Sequence, residues 1–359
     1  MKKCFIKYGT VISPLGIGVD DHLSALESNL SGLKNCAKVG INAEDLTLGK
    51  ISFLEGNRYV HLLNLSCEDL LKKVPLDLLS SDNTLIIVST TKGDIDSLPS
   101  DTFLSTREIL KQKFLLKNDP VIISSACISG VLAISMGKDY LSSGRYKHVV
   151  VIGIDVISDF VLYGFQSLFA LSAFSCRPFD KERNGITLGE ACAIVILSNE
   201  FDEDCTVELC GGASSNDANH ISGPSRTGEG LLKAIEKTLV RSNLRSGDID
   251  FISAHGTGTL YNDDMESIAF HRLEIHNKPI NSFKSYFGHT LGAAGIIEIM
   301  MCMLSIEKKL LFKSLGCDTQ GTAMPLNIIE KNTKRDIGVV LKTASGFGGG
   351  NAALILKKI

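Results

Sequence analysis

The stretch from residue 120 to residue 144 places the strongest constraint on how this chain of 359 residues can fold. It begins with three consecutive β-branched residues, 121–123, as a buried strand does. From Ile128 onward the apolar residues recur at helical spacing, and the helix is expected to end near Gly144. Cys127 lies at the junction. A buried strand that runs directly into a helix is typical of an α/β fold.

The thiol of Cys127 is predicted to interact with the free N–H groups of the first helical turn, which favour the thiolate and lower its pKa. The small residues around it, Ser125, Ala126, Ser129 and Gly130, would let a substrate approach closely. This pattern indicates a nucleophilic cysteine. A small buried residue in a strand–helix turn is the alternative, and this stretch alone favours it, because free cysteines are often buried.

Other short apolar runs alternate with helical patterns along the whole chain. Short apolar strands between helices predict α/β layers with buried sheets. The same alternation occurs twice, so we predict two similar halves, residues 1–198 and 199–359. The predicted strands lie at 4–12, 84–89, 121–123, 149–156, 191–197, 207–211, 249–254, 337–341 and 352–356, and the main helices at 58–73, 128–144, 228–242 and 292–308.

Composition argues against several classes of protein. The net charge of -3 and the lack of a basic run disfavour nucleic acid and anionic membranes as partners. Ten scattered cysteines without a CxxC pair favour free thiols in a reducing compartment over a disulfide framework or a metal site. No stretch reaches the ~18 apolar residues of a membrane span. We therefore expect a cytoplasmic protein without a bound metal.

Two further stretches contain candidate histidines. His255 ends an apolar strand inside SAHGTGT, residues 253–259, whose threonine hydroxyls could bind a polar chain lying along the backbone. His289 precedes a long apolar helix inside KSYFGHTLGAAG, residues 284–295. The positive end of a helix dipole disfavours protonation of an imidazole, so His289 suits a hydrogen bond to a carbonyl. Taken alone, a histidine in a polar turn and a helix-capping histidine explain these stretches equally well.

A glycine-rich loop, GFGGGN at residues 346–351, is the third candidate. Its glycines leave backbone N–H groups free to point at a developing oxyanion. It does not match a phosphate-binding loop, because Asn351 replaces the last glycine of GxGxxG and no lysine follows. An ordinary tight turn is the alternative for the loop alone. The joint occurrence of all three stretches with Cys127 favours a catalytic site.

With these stretches, the chain resembles the β-ketoacyl-acyl carrier protein synthases of the thiolase superfamily, the condensing enzymes of fatty acid and polyketide assembly. The resemblance implies a thiolase-like α/β fold with two similar halves in a five-layered αβαβα arrangement, usually as a dimer. With a histidine at position 289, the chain resembles the elongating, Cys-His-His type of synthase. The similar stretches run almost end to end: SPLG (13–16), SAC (125–127), GF (164–165), ALS (170–172), RPFD (177–180), NG (184–185), LGE (188–190), AHGTGT, KSYFGHTLGAAG and GFGGGN.

The resemblance also implies a role for each matching residue. Cys127 would accept the acyl chain. His255 and His289 would assist malonyl decarboxylation and stabilise the thioester enolate. Lys284, with Glu266 as its expected partner, would keep the two imidazoles in place.

Five further positions match the substrate channel of the family. Thr257 and Thr259 would bind the pantetheine arm, and Gly346 and Gly348 would line the substrate path. Phe347 would gate the channel, and its N–H would join that of Cys127 in an oxyanion hole.

The function implied is the decarboxylative condensation of malonyl-acyl carrier protein with an acyl chain held on Cys127, in fatty acid or polyketide and polyene biosynthesis. The expected partners are acyl carrier protein and a second synthase-like chain, identical or not, and no cofactor is expected beyond the carrier's phosphopantetheine. A non-catalytic, chain-length-factor-like subunit and a coenzyme A thiolase are the alternatives.

The chain departs from the family pattern in its length. It is shorter than is usual for the family, and the shortening is expected between Gly93 and Pro120. We expect this departure to alter the acyl pocket and the dimer contact.

Overall fold

A computed structural model of the protein describes residues 3–202, 205–217 and 223–359. The strands within these ranges are β1 (Phe5–Ser13), β2 (Gly16–Ile17), β3 (Lys34–Cys36), β4 (Leu46–Leu48), β5 (Thr84–Ser89), β6 (Val121–Ile123), β7 (His148–Asp155), β8 (Ala191–Ser198), β9 (Val207–Asn216), β10 (Phe251–Ser253), β11 (Ile280–Asn281), β12 (Leu310–Leu311), β13 (Thr333–Lys334), β14 (Val339–Gly346) and β15 (Gly350–Lys358).

The helices of the described residues occupy the intervals between these strands. They are α1 (Val19–Glu27), α2 (Arg58–Leu71), α3 (Leu76–Ser80), α4 (Leu104–Phe114), α5 (Ser129–Ser142), α6 (Asp159–Ser167), α7 (Glu229–Ser242), α8 (Leu260–Arg272), α9 (Lys284–Phe287) and α10 (Ala294–Lys308). Within the same ranges, none of them combines the length and the apolar character that crossing a bilayer requires.

The two halves repeat one strand order. The first half has the order β6-β5-β7-β8-β1, and the second half has β11-β10-β14-β15-β9. In each half the first three strands are parallel and the last two are antiparallel to their neighbours. A short antiparallel pairing of β1 with β9, at Phe5–Glu208 and Ile6–Val207, joins the halves into one sheet.

Helices lie on both sides of each half-sheet and between the two halves. The central helices α5 and α10 contact strands of both halves, and their core includes alternate residues of β7 and β8. The opposite faces pack against α2 and α4 in the first half and against α7 and α8 in the second. This arrangement confirms the predicted five-layered, thiolase-like fold. The division at residues 198 and 199 stays a prediction.

The central helices cross at two glycines. A Cβ atom on Gly295 would lie 2.7 Å from the backbone nitrogen of Val131, and one on Gly130 would lie 3.1 Å from the carbonyl oxygen of Gly292. The close approach therefore depends on the missing side chains. Because Cys127 comes just before α5 and His289 just before α10, this crossing also sets the separation of the two residues.

We predict that Gly295→Ala lowers the free energy of unfolding by about 1–3 kcal/mol, since the added methyl group meets backbone atoms that must move. Urea denaturation measures the change. Gly247→Ala is the matched control, because a Cβ atom there has no neighbour within 4 Å, and its effect should stay below about 0.5 kcal/mol. Equal stability of the two variants would contradict the close crossing.

Candidate active site

Cys127 lies on a sharp turn between β6 and α5. Ala126, the residue before it, has a φ angle of +45°, an uncommon conformation for a residue with a side chain. The Ser129 hydroxyl holds the turn, since Oγ accepts a hydrogen bond from the Ser125 N–H at 2.7 Å and donates to the Ala126 carbonyl at 2.6 Å. The turn leaves the Cys127 side chain 8% exposed at one wall of a cavity.

His255 and His289 lie beside this thiol, as the sequence predicts. Their rings meet edge to face, with 5.3 Å between the ring centroids. The Cys127 sulfur and one ring nitrogen of each histidine all lie within 4.8 Å of one another. Cys127 therefore meets two histidines that lie more than 100 positions after it in the chain.

Backbone contacts orient His289. Its own N–H donates to the Thr187 carbonyl at 2.7 Å, and its carbonyl accepts from the Gly189 N–H at 3.0 Å. The ring nitrogen Nδ1 accepts from the Leu291 N–H at 3.2 Å, so the ring proton resides on Nε2. Nε2 is buried and has no hydrogen-bond partner in the structure. It is an available donor at the cavity wall.

Lys284 orients His255. Its ammonium group lies 3.3 Å from His255 Nδ1 and 2.5 Å from the His255 carbonyl oxygen. An ammonium group can only donate, so Nδ1 accepts and the ring proton of His255 also resides on Nε2. Both imidazoles are therefore neutral donors.

The partner predicted for Lys284 is wrong. Its ammonium group pairs with Glu298 on α10, at 2.6 Å, rather than with Glu266. The Glu266 carboxylate is already satisfied by the N–H groups of His255 and Gly256, at 2.8 and 2.7 Å, and by the side chain of Thr343 at 3.0 Å. Glu266 thus fixes the turn that carries His255, and Glu298 is the acidic partner of Lys284.

The protonation states agree with these contacts. Burial, followed by the charge of Lys284, holds the pKa of His255 well below its usual value. Burial and the same lysine also lower the pKa of His289. His289 is neutral, as predicted. The cause differs from the prediction, because burial and the charge of Lys284, rather than a helix dipole, lower its pKa.

The predicted lowering of the Cys127 pKa is wrong. Burial raises the pKa of this thiol to about 12, and the opposing effect of Lys284 is smaller. The prediction considered only the end of α5 and could not include desolvation in the folded chain. The resting residue is therefore a neutral thiol.

The same three side chains have the spacing of a metal site. Sulfur and imidazole nitrogen are common ligands of transition metals. The buried ammonium groups of Lys284 and Lys342 lie next to them and oppose a cation at this point. We therefore interpret the cluster as a hydrogen-bonding and nucleophilic site and assign no metal to it.

The cavity that contains the cluster has a volume of about 430 Å³. Thr257 and Thr259 lie on one wall, and their hydroxyl oxygens are 2.9 Å apart. The lining also includes apolar residues, among them Phe165 on α6. The predicted binding threonines thus face a channel that connects the surface with Cys127.

The glycine-rich loop forms part of the cavity lining. Phe347 is 38% exposed and stacks on Phe165, with 5.5 Å between the ring centroids. A Cβ atom on Gly346 would lie 3.1 Å from the Cys127 nitrogen, so the glycine lets the loop approach this N–H group. Gly348 has a φ angle of +83°, which the turn requires. The loop lies where the sequence places it, against the thiol.

Three residues that the sequence analysis did not identify support the site. Asp155, fully buried at the end of β7, accepts hydrogen bonds from the Thr91 N–H and the Gly292 N–H and pairs with Lys92 at 2.7 Å. Glu298 and Lys342 form the other buried pair, at 2.7 Å. Each is a charged residue inside an apolar run, and that signal alone could have identified them.

Comparisons with known proteins agree with this geometry. A family model described as the β-ketoacyl synthase N-terminal domain matches residues 109–202, and the model of the C-terminal domain matches residues 206–318. The 3-oxoacyl-[acyl-carrier-protein] synthase 2 of Rhizobium meliloti (strain 1021) is 32% identical over 253 residues, which cover 66% of this chain and 60% of that protein. The tetracenomycin polyketide synthase ketoacyl synthase alpha subunit of Streptomyces glaucescens is 30% identical over 253 residues, covering 66% and 59%.

Solved structures have the same fold. One chain of a ketosynthase in complex with its chain length factor, from Xenorhabdus doucetiae, superposes with a TM-score of 0.89 at 26% identity, covering 100% of this chain and 98% of the other. A β-ketoacyl synthase from Burkholderia phymatum gives 0.87 at 22% identity over the whole of both chains. In sequence, the chain spans about 60% of the length of the curated relatives it matches.

The N-terminal family model includes Cys127, and the C-terminal model includes both histidines. Together the two models match more than half of the chain, and their reactive residues meet in one cavity. This chain therefore belongs to the β-ketoacyl synthase family of the thiolase superfamily.

Proposed function

We propose that this protein is a condensing enzyme that joins an acyl chain held on Cys127 to a malonyl unit carried by acyl carrier protein, with loss of carbon dioxide. The observation that carries the proposal is the convergence of one thiol and two neutral imidazoles in a single cavity. The relatives named as a ketoacyl synthase alpha subunit and as a 3-oxoacyl-[acyl-carrier-protein] synthase support it.

The first step is acyl transfer. The Cys127 sulfur attacks the carrier thioester, the new C–S bond forms, and the pantetheine thiolate leaves with the proton of the Cys127 thiol. Thr257 and Thr259 are suited to hydrogen-bond the pantetheine arm, because their hydroxyls line the channel. We propose that the N–H groups of Cys127 and Phe347 stabilise the tetrahedral oxyanion, beside Gly346 and Gly348.

The second step is decarboxylation of the malonyl thioester. The bond to the carboxylate breaks, carbon dioxide leaves, and the electron pair moves toward the thioester oxygen as an enolate. The Nε2–H groups of His255 and His289 donate hydrogen bonds to that oxygen. Neutral donors suit this task, since they stabilise the negative charge without protonating the carbon that must react.

The third step forms the new carbon–carbon bond. The enolate carbon attacks the Cys127 thioester, the oxyanion collapses, and the Cys127 thiolate leaves. Because burial raises the pKa of this thiol to about 12, the thiolate takes up a proton from solvent and the resting state returns. The product is a β-ketoacyl chain on the carrier protein.

The remaining parts of the proposal concern the surroundings of the reaction. We propose acyl carrier protein as the substrate carrier, its phosphopantetheine as the group that enters the channel, and no further cofactor. We also propose pairing with a second synthase-like chain in the cytoplasm. One structurally similar protein is a ketosynthase in complex with its chain length factor, which supports that pairing.

We predict an acyl adduct on Cys127 after incubation with an acyl-loaded carrier protein, and a β-ketoacyl product once malonyl-loaded carrier is added. Cys127→Gln should abolish condensation and raise the rate of malonyl decarboxylation, because its amide carbonyl imitates the acylated thiol. Intact-protein and peptide mass spectrometry measure both outcomes.

Different failures of this experiment have different meanings. If no adduct forms with or without a partner protein, a carrier-binding subunit replaces the proposed enzyme. Cleavage of acetoacetyl-coenzyme A without use of malonyl carrier would indicate a thiolase. Equal loss of both activities in Cys127→Gln would contradict the separate roles of thiol and imidazoles.

We predict that His289→Ala slows malonyl decarboxylation by about 100-fold or more, since one donor to the enolate oxygen is lost. Acyl transfer to Cys127 should fall much less. Single-turnover assays with malonyl-loaded and acyl-loaded carrier separate the two steps. His271→Ala, which removes a ring stacked on His276, is the control and should leave both steps unchanged. An equal loss in both steps of His289→Ala would refute this assignment.

A further inference from the structure

A second lysine is buried beside the cluster of Lys284 and Glu298. The ammonium group of Lys342, on β14, has no exposed surface and lies 2.7 Å from Glu298 Oε2. It also donates to the carbonyl oxygens of Ser253 and Ala254, at 3.2 and 3.0 Å. These carbonyls come directly before His255, so Lys342 contacts both the carboxylate and the strand end that carries the histidine.

The Glu298 carboxylate is divided between two ammonium groups. Its Oε1 pairs with Lys284 and its Oε2 with Lys342. We call Lys284, Lys342 and Glu298 the lysine cluster. Its two positive charges and one negative charge leave one net positive charge, and all three side chains are buried. A buried charge is screened weakly by solvent and therefore acts strongly on its neighbours.

The other acidic groups around the site have hydrogen-bond donors of their own. Glu266 on α8 accepts from two backbone N–H groups and from Thr343. Asp155 on β7 pairs with Lys92 and accepts from backbone N–H groups. Asp263, on α8, accepts from the N–H groups of Phe179 and Thr257. Among the described residues, none of these three carboxylates forms an ion pair with Lys284 or Lys342, so Glu298 is the acidic partner that the two lysines share.

We propose that Lys342 is a positioning residue for the reaction: by occupying one oxygen of Glu298, it leaves a net positive charge facing the thiol and the two imidazoles. That charge adds to the effect of burial in keeping the imidazoles neutral, and it stabilises the negative charge that develops on the Cys127 sulfur. The proposal rests on the proposed function for its chemical purpose, whereas the charge arrangement can be tested without any substrate.

The thiol itself reports the charge of the cluster. The test is the rate of alkylation of Cys127 by iodoacetamide at pH 8, followed by peptide mass spectrometry, because the thiolate is the form that reacts. Lys342→Met makes the cluster neutral and should slow alkylation about tenfold, while Glu298→Gln raises its charge to two and should speed alkylation about tenfold. The double variant Lys342→Met/Glu298→Gln restores one net charge and should return the rate to near that of the wild type.

Controls separate this effect from structural damage. Alkylation of Cys36 and Cys317, which are partly exposed, serves as the internal reference in each variant. Lys138→Met removes a buried lysine of α5 outside the cluster and should leave the Cys127 rate unchanged. If Lys342→Met does not fold, Glu298→Gln alone decides, and an unchanged or slower rate overturns the proposal.

A purely structural role for Lys342 gives a different result. Both single variants would then change the rate of Cys127 alkylation in the same direction, and the double variant would depart from the wild-type rate more than either of them. That outcome would overturn the role of Lys342 and leave the proposed function standing. The alkylation rates could instead follow the predicted order while the wild-type protein shows no condensation activity. That result would refute the proposed function and leave the charge arrangement intact.

Discussion

The close crossing of α5 and α10 is the contact on which the rest of the structure depends. Gly130 and Gly295 let the helices approach until backbone meets backbone. Cys127, two residues before α5, and His289, five residues before α10, are thereby brought to one cavity. Each half alone contains only part of the site, and the repeated strand order lets the two parts face each other.

Burial at that crossing determines the chemistry of the site. It removes water from the thiol and from both imidazoles, so the thiol stays protonated and the rings stay neutral at neutral pH. The buried lysines supply positive charge, which can stabilise an anion in place of the hydrogen bonds that water would have donated. A site of this kind stabilises negative charge that appears during a reaction without holding a charged nucleophile at rest.

Much of this arrangement could be predicted from sequence. The strand–helix junction at Cys127 and the two histidine stretches lie where their patterns indicated, because local periodicity and small-residue turns are properties of short segments. The helix α6 and the short strands β3 and β4 were not predicted. They lie in stretches that lack a clear period, and tertiary contacts decide their structure.

Contacts between distant segments could not be predicted from sequence. The partner of Lys284 is Glu298 on α10, although Glu266 lies nearer to His255 in the chain. The prediction of a lowered thiol pKa was wrong for the same reason, since burial in the folded chain outweighs the effect of the local helix end. In both cases one charged or polar group depends on residues that only the folded chain brings near.

The central claim is that both imidazoles are held as neutral donors, each with its proton on Nε2. Nitrogen-15 NMR of histidine-labelled protein tests this most directly, because the ring shifts distinguish the two tautomers and the imidazolium. We expect the Nε2–H tautomer for His255 and His289 at pH 7, and no imidazolium at pH 6.5. An Nδ1–H tautomer or an imidazolium signal from either ring at that pH would contradict the account.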